Sequence, residues 1–336
     1  MKSPITGKEM KSMQEQGVLS YRKEEFPVFY HFYLCEDTGE RFTNDELDEI
    51  NLIQVHNQYR EKYRIPFPEE IERIREKYQV SAGKMSEILG LGTNAYRLYE
   101  AGEMPSVANG RLILSVKEPG EFLRQVEASS HLLSVKEMQK IRETARKLQV
   151  WQDENFWEVM FEQKIFTHQS PDEYTGYKEP QMDKIAQVIA FFNSKMDLYK
   201  TKLNKLFFYS DFCYYRKTGY SMTGISYRAI PYGPVPAEYQ KMYIKLCDDE
   251  LIEIRQVEVG NGCYGELIRS CKGFDESVFN PIELHVLEAV GRTFKDKNTD
   301  VVVGVSHREL AWTDNEAAKN MISYQKYAFS INGVNC

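Results

Sequence analysis

The chain has 336 residues, 42% hydrophobic and 13% aromatic, with 43 Lys and Arg against 50 Asp and Glu for a net charge of −7. That length predicts two or three domains with packed cores, and the acidic balance argues against indiscriminate nucleic-acid binding. No apolar run nears the ~20 residues of a membrane span, no secretion signal opens the chain, and six cysteines without a CxxC pair read as free thiols of a reducing cytoplasm, with a Cys263–Cys271 hairpin pair as the alternative.

At the start, Ser3-Pro4-Ile5-Thr6-Gly7-Lys8 and Cys35-Glu36-Asp37-Thr38-Gly39-Glu40 are two copies of one pattern. Each has a small polar residue at the first and fourth positions and glycine at the fifth. Val18–Tyr21 and Val28–Leu34, between them, read as strands. This is the layout of a zinc ribbon, in which two knuckles clamp one tetrahedral ion. Here the ligand positions hold Ser3, Thr6, Cys35 and Thr38, and one thiolate cannot hold zinc. Residues 1–45 are therefore expected to be a metal-free ribbon held by Tyr21, Phe26, Phe29, Tyr30, Phe32 and Tyr33. A coincidental pair of Thr-Gly turns is the alternative.

Residues 46–64 read as a helix, with Leu47, Ile50, Ile53 and Tyr59 at suitable spacing. Pro66-Phe67-Pro68 opens another, with Ile71, Ile74 and Tyr78 inward. The run SEILGLGTNAYRLYEAGEMPSV over 86–107 has the layout of a helix-turn-helix. One helix closes at Leu89-Gly90, and a second ends before Gly102 and Pro105. Met85, Ile88, Leu89, Ala95, Leu98 and Tyr99 are expected in its core. In such a motif the first residues of the second helix meet base edges in the major groove. Here they are Thr93, Asn94, Tyr96 and Arg97, and the Asn and Arg forks match adenine and guanine. An ordinary helical hairpin is the bland alternative. Residues 66–130 carry 8 Lys and Arg against 10 Asp and Glu, without the basic bias of a phosphate-binding surface.

The order of helices, with ILGLG and YEAGEMPS, resembles the Xre-type DNA-binding domain of MqsA-like antitoxins, which carry a zinc ribbon ahead of it. The resemblance implies groove contacts from Thr93, Asn94 and Arg97, with Glu100 and Gly102 structural. Further on, Ser134 and Glu137 form a capping box, and Met138, Ile141, Ala145 and Leu148 make one apolar stripe. A helix is expected over 154–163, with Phe156, Trp157, Met160 and Phe161 as a dimer face or core. Thr167–Pro180 reads as a linker.

From Met182 the chain predicts helices over 182–196 and 198–217, the second with Leu203, Leu206, Phe207 and Phe212 inward and closed by Gly219. A strand at Ser226–Ala229 precedes Pro231–Pro236, read as a rigid turn. Leu251–Val259 and Cys263–Ile268 alternate like a hairpin through Gly260-Asn261-Gly262, and Pro281–Phe294 reads as a helix. Ser306 and His307 are adjacent, so they do not suit a nucleophile and its base. His307 is expected to pack with Trp312. No catalytic residue, metal site or cofactor is expected.

Three ordered elements carry a second resemblance: KLNKLFFYSDF (202–212), YGPV (232–235) and SHRELAW (306–312). They are similar to the Panacea domain, also called the SocA-like antitoxin domain. The resemblance implies a mostly helical domain that neutralises a toxin by direct binding, without catalysis. The expected fold is α+β, predominantly α. Its parts are a ribbon at 1–45, a five-helix helix-turn-helix domain at 46–130, a connector at 131–180 and a helical toxin-neutralising domain with a small β-hairpin at 181–336. Tyr209, Tyr227, Tyr232, Gly233, Pro234 and Trp312 are the candidate toxin-binding residues, each aromatic being equally a candidate for the core. The expected partners are a cognate protein toxin, operator DNA and a second copy of the chain, with no membrane. A transcription regulator with a sensor domain and a proteolytic adaptor, a role known within the SocA-like family, are the alternatives.

Overall fold

The computed structural model describes residues 1–156, 165–166, 170–260 and 262–336. It is α-rich with small antiparallel sheets. It divides into two compact units, Met1–Val55 with Ile165–Cys336, and His56–Lys164. The division differs from the four consecutive domains expected from the sequence, because residues 1–45, expected as a separate ribbon, belong to the same unit as the C-terminal half.

In the first unit, β1 (Lys11–Tyr21) and β2 (Glu24–Leu34) pair antiparallel along their whole length, and β3 (Arg41–Phe42) adds a short third strand. Arg22 and Lys23 join β1 to β2, both with positive φ, as a two-residue hairpin of matching twist requires. The two Thr-Gly repeats form equivalent turns. Gly7 N donates to Ser3 O at 2.9 Å and Gly39 N to Cys35 O at 2.7 Å, and both glycines are left-handed. Cys35 is 2% exposed. Hydrogen bonds from the Ser3 and Thr38 hydroxyls bring its thiol down to about 7.

Helix α1 (Asp45–Tyr63) lies along the free edge of β2. Its Gln54 side chain accepts from Phe29 N and donates to Phe29 O, and Asn51 does the same for His31. Two amide side chains thus replace a missing strand and keep that edge from pairing elsewhere. The β1–β2 hairpin then packs against Phe329. Gln14 Nε2 donates to Phe329 O at 2.8 Å, and the Phe29 and His31 rings lie 5.5 and 4.8 Å from that of Phe329.

The second unit holds the rest of α1 and α2 (Pro68–Lys77), α3 (Ala82–Ile88), α4 (Ala95–Glu100), α5 (Val107–Ser115), α6 (Pro119–Ala128) and α7 (Val135–Glu154). The side chains of Ser81, Ser106 and Ser134 cap three of these helices, and the Ser134–Glu137 box is present. Ile71, Ile74, Tyr78, Met85, Ile88, Tyr96, Ile113 and Phe122 share one core, reached from α7 by Ile141 and Ala145. Leu98, expected in that core, is 47% exposed, because α4 turns Tyr96 and Tyr99 inward instead. Of the expected dimer face, Trp157, Met160 and Phe161 lie outside the described residues; Phe156 is exposed.

The C-terminal part is built around α9 (Lys200–Thr218), buried without a break from Lys202 to Tyr215 and closed by left-handed Gly219. Around it stand α8 (Met182–Asn193), α10 (Tyr239–Asp248), α11 (Pro281–Phe294), α12 (Thr299–Ser306) and α13 (Leu310–Thr313). β4 (Leu198–Tyr199), β8 (Cys263–Ser270) and β7 (Ile252–Gly260) form one sheet. β6 (Gly233–Pro236), β5 (Tyr227–Ile230) and β9 (Met321–Ile322) form another, followed by α14 (Tyr324–Tyr327).

Several expectations are corrected here. The described part of the expected linker is packed: Tyr177 is buried, Ser221 N donates to Gly176 O and Tyr324 N to Glu173 O. Turn-forming residues mark a change of direction and leave burial undetermined. Pro231–Pro236 is a hairpin turn plus a strand, since Gly233–Pro236 pairs with β5. The cysteines are not all free thiols, because Cys213 and Cys336 are joined by a disulfide. Cys263 opens β8 and Cys271 follows its last residue, so the β7–β8 hairpin does not pair one with the other.

Candidate functional site

The sequence elements 202–212, 232–235 and 306–312 converge on the β5–β6 hairpin. Lys205, on the buried helix α9, donates from Nζ to Pro234 O at 3.0 Å. It has no acidic partner among the described residues, and burial alone pushes its amine down to about 7. Gly233 has φ +96°, and a Cβ there would sit 2.5 Å from Ser306 Oγ and 2.7 Å from Lys205 Cε. Glycine is needed both for the backbone angle and for the closeness of its neighbours.

From the other side, Trp312 Nε1 donates to Ile230 O at 2.8 Å. The indole stacks on His307 with centroids 3.9 Å apart and planes 9° from parallel. Burial, and then the nearby Lys205, lower the His307 pKa. The expected packing of His307 with Trp312 is therefore present as a ring stack; His307 Nε2 has no hydrogen-bond partner among the described residues. Glu309 is buried and accepts from Tyr209 Oη at 3.1 Å, Asn332 N at 3.1 Å and Gly333 N at 2.7 Å.

Beneath the hairpin, Asp211 is fully buried and accepts four hydrogen bonds. They come from Met222 N, Thr223 N, the Thr223 hydroxyl and the Tyr227 hydroxyl, at 2.6 to 2.9 Å. Burial raises its pKa to about 6, against the pull of those donors.

These contacts redistribute the candidate toxin-binding residues. Tyr209 and Tyr227 are completely buried, with their hydroxyls spent on Glu309 and Asp211, so they are scaffold rather than surface. Gly233 and Pro234 are buried by Lys205 and Ser306, and they too drop out as surface contacts. Trp312 is half-buried under the hairpin. Only Tyr232 stands out, 70% exposed at the hairpin tip beside exposed Pro231. A rigid, exposed aromatic can supply contact area at low entropic cost. Lys205, Asp211 and Glu309 were not singled out from the sequence. The available signal was a charged residue inside an apolar helical run.

In the segment that the sequence reads as a helix-turn-helix, Thr93, Asn94 and Arg97 are exposed on one stretch of surface. Tyr96 is a correction. It is fully buried, its N–H bonded to Ser86 Oγ and its hydroxyl donating to Ile71 O at 2.8 Å, so it fixes α4 from within and cannot meet a base. Arg75 Nε pairs with Glu100 and ties α2 to α4.

Among the described residues, no group of three or more His, Cys, Asp or Glu is placed to hold a metal ion. No helix among them is long and apolar enough to cross a membrane. No curated protein and no solved structure matches the chain. Residues 203–313, which hold Lys205, Asp211, the hairpin, Glu309 and Trp312, match the model of one family, the antitoxin SocA-like, Panacea domain.

Proposed function

We propose that this chain is an antitoxin that neutralises a protein toxin by direct binding through its C-terminal domain, with no enzymatic chemistry. The observation that carries this reading is the Panacea match over 203–313, whose motif residues brace one hairpin and leave Tyr232 at its tip. Neutralisation by burial needs an interface of roughly 1,200–2,000 Å² with a few aromatic or Arg anchors. Tyr232 is such an anchor, with Trp312 half-buried behind it. In the same reading the helix-turn-helix segment autoregulates the operon. A homodimer in the cytoplasm places Thr93, Asn94 and Arg97 of each copy against one half of an operator palindrome.

The test is growth after induction of the neighbouring reading frame, with wild-type protein, Tyr232→Ala or Arg97→Ala. The toxin reading expects Tyr232→Ala to lose rescue while the protein stays folded. Arg97→Ala should retain rescue and weaken operator binding by about 1–3 kcal/mol. A neighbour that is harmless on its own would refute the antitoxin reading.

One observation favours a second reading, a regulator that senses a ligand. An open groove is lined by Ile50, Ile53, His31, Glu49, Lys217 and His285, among others, a mixture of apolar and charged side chains.

A further inference from the structure

We propose that Cys213 and Cys336 form a redox latch that locks the segment 328–336 over Tyr209 and Glu309. Cys213 is buried within α9, and Cys336, 123 residues later, is half-buried. Their disulfide is one of three ties at this place. Arg216, one turn beyond Cys213, donates to Ile331 O at 3.0 Å and to Cys336 O at 3.1 Å, and its Nη2 lies 3.0 Å from Cys336 Sγ. The third tie is Glu309, which takes the N–H groups of Asn332 and Gly333 on its two carboxylate oxygens. The backbone at Gly333 is pressed so close that a Cβ would sit 2.5 Å from Tyr209 Oη and 2.8 Å from Glu309 Oε1.

The Arg216 guanidinium faces the Cys336 sulfur, the one from which exchange starts. In the closing direction, the Cys336 thiolate attacks a low-molecular-weight disulfide such as glutathione disulfide, forming a mixed disulfide and releasing one glutathione thiolate. Cys213 gives up its proton and attacks Cys336 Sγ, which expels the second glutathione thiolate. Two protein thiols are oxidised and one glutathione disulfide is reduced to two glutathione thiols. Excess glutathione reverses both steps.

With the link open, the segment is held only by contacts that break in local unfolding. Glu309 then loses its two backbone donors whenever the segment lifts, and keeps Tyr209 alone. Glu309 lies three residues before Trp312, so the latch reaches the stretch that grips the β5–β6 hairpin through direct contacts.

The experiment uses the full chain equilibrated in glutathione buffers with a rising share of glutathione disulfide. Thiols are trapped by alkylation and located by mass spectrometry, and hydrogen exchange is followed at 306–313 and 328–336. The latch expects a Cys213–Cys336 pair, with both segments exchanging at least about tenfold more slowly when it is closed. Cys336→Ser should exchange like the reduced wild type in every buffer, whereas Cys271→Ser, which removes an exposed free thiol, should keep the full response. Gly333→Ala should open the segment in either buffer, because its Cβ would press on Tyr209, Val305 and Glu309. Failure of the pair to form at any ratio overturns the proposal. So does a pair that forms while exchange at both segments stays unchanged.

Discussion

Asp211→Ala is expected to lower unfolding stability by about 3–5 kcal/mol, the largest loss from any one side chain considered. The substitution strands two backbone N–H groups and two hydroxyls in a dry interior, and each stranded donor costs ~1–3 kcal/mol. Relief from burying a carboxylate with no cation beside it offsets part of that sum. Asp211→Asn is the informative partner. Its oxygen can still accept from Met222 N and Thr223 N, while its amide can donate to the two hydroxyls after they rotate, so the loss should stay below ~2 kcal/mol. The pH dependence separates the two terms. Burial raises the Asp211 pKa from 3.8 to about 6, so between those values the unfolded chain has lost a proton that the folded chain retains. This carboxyl therefore makes stability fall as pH rises from about 4 to 6 and level off above. Denaturant melts across that range should show the slope in wild type and its loss in Asp211→Asn; equal slopes would contradict the assignment.

Lys205→Met is expected to stabilise the protein, by about 1–4 kcal/mol at pH 6, in line with other replacements of buried charge by well-packed apolar groups. The amine has one hydrogen bond and no anion, and burial lowers its pKa from 10.5 to about 7. Below pH 7 it is protonated in both states, and the full cost of burying the charge is present. From pH 7 to about 10.5 the unfolded chain keeps a proton that the folded one has released, so wild-type stability climbs with pH. The advantage of Lys205→Met should therefore be greatest below pH 7 and shrink steadily through the alkaline range. Thermal melts of both proteins at pH 6, 8 and 10 test this. Retention of such a costly group points to its role in fixing Pro234 and hence the Tyr232 tip.

Local rules made much of the architecture legible. The helix 281–294 and the Ser134–Glu137 box appear as the residues dictate, because caps and period depend on neighbours in sequence. The paired Thr-Gly turns at 3–8 and 35–40 are equivalent in three dimensions for the same reason. Burial was harder to read where a segment lacks a polar face. α9 is buried on every side and its polar residues are scattered among the apolar ones, so nothing in its period told Tyr209 from a surface tyrosine. α4 is too short for its register to separate Tyr96 from Arg97. Contacts between segments distant in sequence, by some twenty residues or by three hundred, were beyond reach. The seating of Phe29 and His31 on Phe329, and the covering of Glu309 by Asn332 and Gly333, follow from tertiary packing alone.

The division at Val55 and Ile165 makes the helical unit an insertion within the other. During synthesis at roughly 5–20 residues per second, a helical cassette of local contacts can complete itself soon after it emerges. The ribbon cannot. Its Phe29 and His31 must wait for Phe329, 300 residues later, a delay of roughly 15–60 s at those rates. Through that interval the newborn chain displays the aromatic side of β2 to its surroundings. The helical unit can thus be complete before the C-terminal part of the other unit exists, and the waiting strand needs shielding by chaperones until Phe329 arrives.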